Sequence, residues 1–370
     1  MKIIILSDPN SVHTVKWVKS LAQKKIEIYI FGFSCCDQKI YENYSNVHVM
    51  TLDLSQSIIR RNSSNMAKLR YFSALPKLKK LIRQFKPDIL HAHYASSYGI
   101  LGALSGFHPF ILSVWGSDIY NFPNRSYLHK KIIEFNLSKA DSLLSTSLAM
   151  AKETRKYTSK EIQVTPFGID SEVFRPMAVE NPFSKQDIVI GTVKTLEINY
   201  GIEYLIRAFK MVKDRHPRKS LKLMIVGGGS QEFYLKKLAK ELSIETETHF
   251  LGRVPYSECP KYHNMLSISV FVSVSESFGV AVLEASACEK PVVVSRVGGL
   301  PEVVEDGVSG IVVPPRDVLA TANAIERLVL DEELRSSMGR AGRERVQRMY
   351  DWNINVAQMI NIYNTLLINE

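Results

Sequence analysis

Two doubly wound α/β domains are what this 370-residue chain predicts, and three observations carry the prediction. Domains commonly run to about 100–200 residues, so the length fits two of them. Short, nearly continuous apolar runs rich in β-branched residues alternate with longer amphipathic segments, as in parallel sheets covered by helices on both faces. The alternation then starts afresh near residue 187, after the turn-rich stretch FGIDSEVFRPMAVENPFSKQ (167–186) with its prolines.

The elements follow in order. In the first half the strand runs are KIIIL (2–6), IEIYIF (26–31), VHVMTL (47–52), DILHAH (88–93), FILSVW (110–115) and SLLST (142–146). In the second half they are DIVIGTV (187–193), LKLMIV (221–226), ISVFVSV (268–274), PVVVS (291–295) and GIVVP (310–314). EYLIRAFKMVKDRH (203–216) and EFYLKKLAKEL (232–242) have helical periodicity between them. The expected domains are residues 1–176 and 185–345, followed by a C-terminal helix in 346–370 that packs back toward the first domain. Ligands in such sheets bind beyond the carboxyl ends of the strands, so a cleft between the domains is the expected site.

Composition narrows the function classes. Hydrophobic residues make up 45% and charged residues 23%, ordinary for a chain with a real core. Cys35, Cys36, Cys259 and Cys288 lack metal-site spacing and read as reduced thiols, with a cytoplasmic setting expected. The N-terminal apolar run is too short for a signal peptide, and no stretch approaches the ~18 apolar residues of a membrane span. The net charge of +10 is uneven: residues 1–175 carry +11 and the remainder −1. Nine Lys and Arg and no acidic residue lie between Leu54 and Pro87. Within that stretch PKLKKLIRQF (76–85) reads as a basic amphipathic helix with Leu78, Leu81, Ile82 and Phe85 on one stripe. Two readings stay open: the stripe packs on the domain core, or segment 58–86 rests on an anionic membrane surface at the inner face of the membrane.

The chemistry concentrates in SESFGVAVLEA (275–285). A strand ends there and a helix starts, so Ser275 to Gly279 is a loop at a carboxyl edge. The amides of Phe278, Gly279 and Val280 then sit at a helix N-terminus, which favours an anion. Glu276 precedes that point and Glu284 lies about one turn into the helix. Carboxylates accept hydrogen bonds well from hydroxyls. Hydroxyls at both ends and a diphosphate in the middle describe a sugar nucleotide.

Other segments stand beside this one: TPFGIDSEVFRP (165–176), VGGGSQEFYLKKLAKEL (226–242), HFLGRVPYSECPKYHNMLSISVFVSVSESFGVAVLEA (249–285) and PVVVSRVGGLPEVVEDGVSGIVVPPRD (291–317). Together they resemble the retaining glycosyltransferases of family four, which have the GT-B fold, over nearly the whole chain. The resemblance implies that Glu284 binds the donor ribose, that Glu276 meets hydroxyls of the donor sugar, and that Phe278, Gly279 and Val280 hold the diphosphate or sugar. It places Arg253 near the base. Lys194 falls where the family usually has an arginine that neutralises the leaving diphosphate. The family's second cation is missing, and Tyr200 stands before Gly201 in its place. VGGG (226–229) matches neither a dinucleotide fingerprint nor a P-loop and reads as a tight turn that shapes the cleft.

In the first half, DILHAHYAS (88–96) ends a strand, and His91 and His93 are expected on alternate faces of it, His91 as a structural residue. ILSVWGSDIY (111–120) ends another, with Asp118 in its loop and Trp115 where the family often has a histidine. Asp118 and His93 are candidates for catalytic roles on the acceptor side. Asn10 and His13 lie where the acceptor or diphosphate would approach, the alternative being that Asn10 or Ser11 caps the first helix. Two histidines and an aspartate without a third ligand at helical spacing do not make a metal site, and the resemblance implies no metal or other cofactor.

The function expected is transfer of a hexosyl group from a nucleoside diphosphate sugar to a sugar or lipid-linked acceptor, in polysaccharide or glycolipid synthesis. Same-face attack is implied, the donor's phosphate helping to remove the acceptor proton. The rivals are a nucleotide-sugar epimerase of the same fold and a basic nucleic-acid-binding protein. Against the second, the charge sits in one half and no nucleic-acid module is visible.

Overall fold

The computed structural model describes residues 1–54 and 73–368. Most of the basic stretch, residues 55–72, therefore lies outside the described residues. The chain divides into two compact units, Met1–Thr165 with Val356–Glu370, and Pro166–Asn355. The turn-rich 167–186 stretch belongs to the second.

In the first unit seven strands form one parallel sheet: β1 (Lys2–Leu6), β2 (Glu27–Gly32), β3 (Val47–Thr51), β4 (Ile89–His93), β5 (Phe110–Val114), β6 (Ser142–Ser145) and β7 (Ile162–Val164). Their order is β3-β2-β1-β4-β5-β6-β7. Ile4 pairs with Leu90 and Leu6 with Ala92, and these pair on with Phe110 and Leu112. All six join one buried cluster. Successive strand residues point to opposite faces, so His91 and His93, two apart, share one. The expectation of alternate faces is corrected: their rings meet edge to face at 4.7 Å. His91 is fully enclosed, with Nδ1 on the Tyr363 hydroxyl at 2.8 Å and Nε2 on the Ser113 hydroxyl at 2.7 Å. Tyr363 belongs to the C-terminal helix Trp352–Ile368, so this histidine anchors that helix.

The basic helix spans Ala74–Phe85, two residues earlier than its sequence pattern, with Pro76 tolerated in the first turn. Leu78, Leu81 and Phe85 are buried in the first unit's core, with Ile82 packed against it. Lys77, Lys79 and Lys80 are exposed. The apolar stripe is thus committed to the core.

The second unit holds β8 (Ile188–Val193), β9 (Leu221–Val226), β10 (Thr248–Gly252), β11 (Ile268–Phe271), β12 (Val292–Ser295) and β13 (Gly310–Val313). The order is β10-β9-β8-β11-β12-β13, again all parallel. Both sheets thus repeat one doubly wound plan, in which strand order reverses beside the first strand. The reversal falls between β1 and β4 in the first unit and between β8 and β11 in the second. β7 and β10 were not among the expected strands. β7 has three residues, and β10 reads THFLG, ending in glycine between charged flanks, so neither makes a long apolar run.

Candidate functional site

The site in the second unit is built at the reversal between β8 and β11. Lys194 is the first residue beyond β8, and Glu276 lies in the loop beyond β11. Because these strands are hydrogen-bonded neighbours, residues far apart in sequence meet. Lys194 Nζ donates to Glu276 Oε2 at 2.7 Å. Their side chains are 16% and 12% exposed, so the pair is largely screened from water. The Tyr200 ring lies 4.1 Å from the Lys194 ammonium, a close cation–π contact. Burial, the largest single influence, lowers the Lys194 pKa, but the Glu276 charge and hydrogen bond, together with Tyr200 and the Glu284 charge, raise it above its ordinary value. The Lys194 ammonium is therefore charged at neutral pH.

Backbone packing fixes the two loops. Gly298 has φ +49°, and a Cβ there would lie 1.6 Å from the Glu276 carbonyl oxygen. Gly227 runs so close to the loop after β8 that a Cβ would lie 2.0 Å from the Lys194 carbonyl. The VGGG turn is thus a close approach to the main chain of Lys194.

The helix Val280–Ala287 follows directly, with Gly279 as its N-cap residue. Among the described residues, the amides of Phe278, Gly279 and Val280 have no hydrogen-bond acceptor. They point out of a helix N-terminus and can receive an anion. Phe278 itself is buried, edge-on to Phe167 and Tyr350, so its side chain serves the core and only its amide is offered. Glu284 is buried in the same helix. One of its oxygens sits 3.3 Å from His263 Nε2. Burial and the Glu284 charge, with a hydrogen bond to that carboxylate, push the Tyr256 phenol well above its usual pKa. His263 and Tyr256 are site residues the sequence did not single out. They lie inside the quoted 249–285 stretch, but their spacing carries no sign that both turn toward Glu284. Arg253 follows β10 and is exposed, its Cβ 3.4 Å from where a Gly228 Cβ would stand.

The first unit's reversal is different in kind. A cavity of about 650 Å³ opens at the ends of β1, β4 and β5, with Ser7, His93, Trp115 and Asp118 on its lining. His93 stacks against Trp115 at 4.4 Å and its Nδ1 contacts the Ser7 hydroxyl at 3.2 Å. Burial, then the neighbouring His91 and His13, hold the His93 pKa well below the ordinary histidine value. It is a neutral imidazole at working pH. His13 meets Trp115 edge-on at 5.9 Å, so His13 and His93 are brought to one aromatic platform.

Asp118 and Asn10 are spent on the scaffold. Asp118 is buried and accepts from the amides of Ala95, Trp115 and Gly116. Burial raises its pKa while those amides oppose the rise. It ties the loop after β4 to the loop after β5. The Asn10 side chain donates to the Cys35 carbonyl at 2.7 Å and accepts from the Asp37 amide at 3.2 Å. It braces the 35–37 loop. Ser11 is the N-cap residue of the helix Val12–Gln23 but makes no side-chain cap bond. Among the described residues, no three His, Cys, Asp or Glu side chains converge to hold a metal ion.

Comparison with known proteins adds to this geometry. Residues 175–345 match the family model described as glycosyl transferases group 1. Residues 2–147 match that of glycosyl transferase 4-like proteins. D-inositol 3-phosphate glycosyltransferase of Corynebacterium jeikeium is 35% identical over 56% of this chain and 53% of its own length. The chain thus spans about half of that relative. N-acetyl-alpha-D-glucosaminyl L-malate synthase of Bacillus anthracis is 26% identical over 95% of this chain and 92% of its own. Among solved structures, sucrose-phosphate synthase from Thermosynechococcus elongatus superposes with a TM-score of 0.82 at 21% identity, covering 100% of both chains. Anabaena HepE, solved with UDP and glucose, gives 0.79 at 18% identity over 99% of this chain and 100% of that one.

Proposed function

From a chain that belongs to the group 1 glycosyl transferases and has their GT-B fold, we propose transfer of a hexosyl group from a nucleoside diphosphate sugar to a hydroxyl of a sugar or lipid-linked acceptor, with retained stereochemistry. The observation that carries this reading is the 2.7 Å Lys194–Glu276 salt bridge beside a helix N-terminus with open amides. A diphosphate is the ligand such a place suits, and a carboxylate on each side suits the hydroxyls of its two ends. HepE's complex with UDP and glucose agrees with such a donor.

Glu284, buried and turned toward Tyr256 and His263, accepts the ribose hydroxyls. The amides of Phe278, Gly279 and Val280 take the diphosphate. Arg253 lies on the rim for the base. When the donor binds, Lys194 exchanges the Glu276 carboxylate for the phosphate oxygens, and Glu276 turns to the hydroxyls of the sugar. The bond from the anomeric carbon to the diphosphate oxygen breaks with its electron pair on the diphosphate. The new bond from the acceptor oxygen forms on the same face, and the acceptor proton passes to a phosphate oxygen. Charge grows on the leaving group as the bond breaks, so Lys194 and the amides act most strongly in the transition state. No resident metal or cofactor enters this scheme. On the acceptor side, His93 remains neutral and can hold a hydroxyl by hydrogen bond, with His13 near it across Trp115.

The names of the relatives, inositol 3-phosphate and malate among them, make polar hydroxyl acceptors one class to try. Attachment to an anionic membrane, if the enzyme works on a lipid-linked acceptor, would draw on the outward Lys77, Lys79 and Lys80, since the apolar stripe of their helix is occupied. No helix among the described residues is long and apolar enough to cross a membrane. Salt-sensitive co-sedimentation with anionic but not neutral vesicles tests that attachment. The transfer itself is tested by incubating the protein with UDP-, GDP- and ADP-sugars and following release of the nucleoside diphosphate. Release from one donor, stimulated by an acceptor, is expected. Interconversion of the donor sugar without release would point to the epimerase instead.

A further inference from the structure

The cavity of the first unit has two ends of different chemistry. At the strand ends stand Ser7, His93 and Trp115, polar groups that can meet a hydroxyl. Away from them the wall is made by two helices, Ser97–Ser105 and Tyr127–Lys139. Ile100, Leu104 and Ile132 line the cavity from these helices and are only half-buried, so their apolar surface faces the open space. Tyr127 and Leu128, at the start of the second helix, are 74% and 66% exposed. Arg125 is on the lining, its guanidinium 5.6 Å from the Phe122 ring. It is the one Lys or Arg on the lining among the described residues, and Asp8 and Asp118 are on the lining too. A compact polyanion would meet one fixed cation, two carboxylates and a neutral His93.

We infer that the acceptor site takes an amphiphile: a hydroxyl-bearing end toward His93, an apolar body between the two helices, and a single anionic substituent at Arg125. This rests on the transferase reading for its role in catalysis, but the binding it requires does not. The volume of about 650 Å³ is within the range of pockets that bury a drug-sized ligand. Apolar surface left open in such a cavity gains from covering roughly in proportion to area.

A ladder of ethyl, butyl, hexyl and octyl phosphate, each below its micelle concentration, tests this by calorimetry on the full chain, with inorganic phosphate as the headgroup alone. Affinity should rise about three- to fourfold per methylene, with inorganic phosphate weakest. Leu104→Asn and Ile132→Asn, at half-buried positions, should flatten the ladder. Leu104→Trp, which fills the cavity, should abolish it. Arg125→Gln should lower every rung about tenfold without changing the slope. A ladder flat in the wild type, or one untouched by Leu104→Trp in a protein that still melts cooperatively, overturns the inference. Binding of UDP-, GDP- and ADP-sugars, measured on the same samples, separates the outcomes. A flat ladder with donor binding intact sinks the amphiphile alone, whereas loss of donor binding in the wild type sinks the transferase reading.

Discussion

The two units repeat one sheet plan and use its reversal point in opposite ways. In the second unit the strand ends hold a largely screened ion pair, a buried carboxylate and open amides. In the first, histidines stay neutral beside aromatic rings, and the one buried carboxylate on the cavity lining is consumed by three amides. The common topology supplies a crevice in each. The side chains at the strand ends then decide whether it suits a charged diphosphate or a hydroxyl on an apolar body. A doubly wound sheet thus determines where a ligand goes, while a few residues just past the strands determine what it is.

That contrast is broken most severely at Glu276. Glu276→Ala should lower turnover by about a hundredfold or more, and it strands Lys194 as an unpaired buried charge. Loss of stability on the order of 2–3 kcal/mol should accompany it. Adding Lys194→Met should restore the melting temperature but not the turnover. Recovery of both would make the pair purely structural.

Gly298→Ala comes next, because its Cβ would collide with the Glu276 carbonyl. The loop must move, and both stability and turnover should fall. Gly106→Ala is the control: its φ is also positive, +70°, yet nothing lies within 4 Å of the added Cβ. It should cost about 1–2 kcal/mol of stability and spare activity. Equal effects at both sites would mean that the close approach to Glu276 is unimportant.

A smaller effect separates the units by pH. Burial depresses the His91 pKa to about 3, against about 6.5 in an unfolded chain. Between those values the unfolded state binds more protons, so stability contributed by neutral His91 is full above pH 6.5 and is lost as pH falls toward 3. The slope is at most about 1.4 kcal/mol per pH unit. Lys194 has the opposite sign: its raised pKa gives stability that is lost only above its ordinary alkaline range. Melting temperatures from pH 7.5 to 5 should therefore decline, and His91→Gln should flatten the decline. An unchanged slope in that variant would assign the acid sensitivity elsewhere.

How much of this the sequence discloses depends on distance along the chain. The loop from Glu276 to the helix bearing Glu284 is contiguous, so its strand, glycine and carboxylates could be read directly. The meeting of Lys194 with Glu276, 82 residues apart, depends on which strands become neighbours. His91 and Tyr363 are separated by 272 residues, and no periodicity links them. The main-chain bonds of Asp118 and Asn10 were illegible for another reason. A carboxylate or amide that binds main chain looks the same in sequence as one that binds substrate. The basic helix was legible as amphipathic, but only packing decides that its stripe faces the core.

The central claim is that the charged reversal point of the second unit, and not the neutral one of the first, receives the sugar nucleotide. Isothermal titration of the wild type, Glu284→Ala and His93→Gln with the UDP-, GDP- or ADP-sugar that binds wild type best addresses it directly. The account predicts a loss of about ten- to a hundredfold in affinity for Glu284→Ala and wild-type donor affinity for His93→Gln. Donor binding that survives Glu284→Ala unchanged and fails in His93→Gln would contradict it.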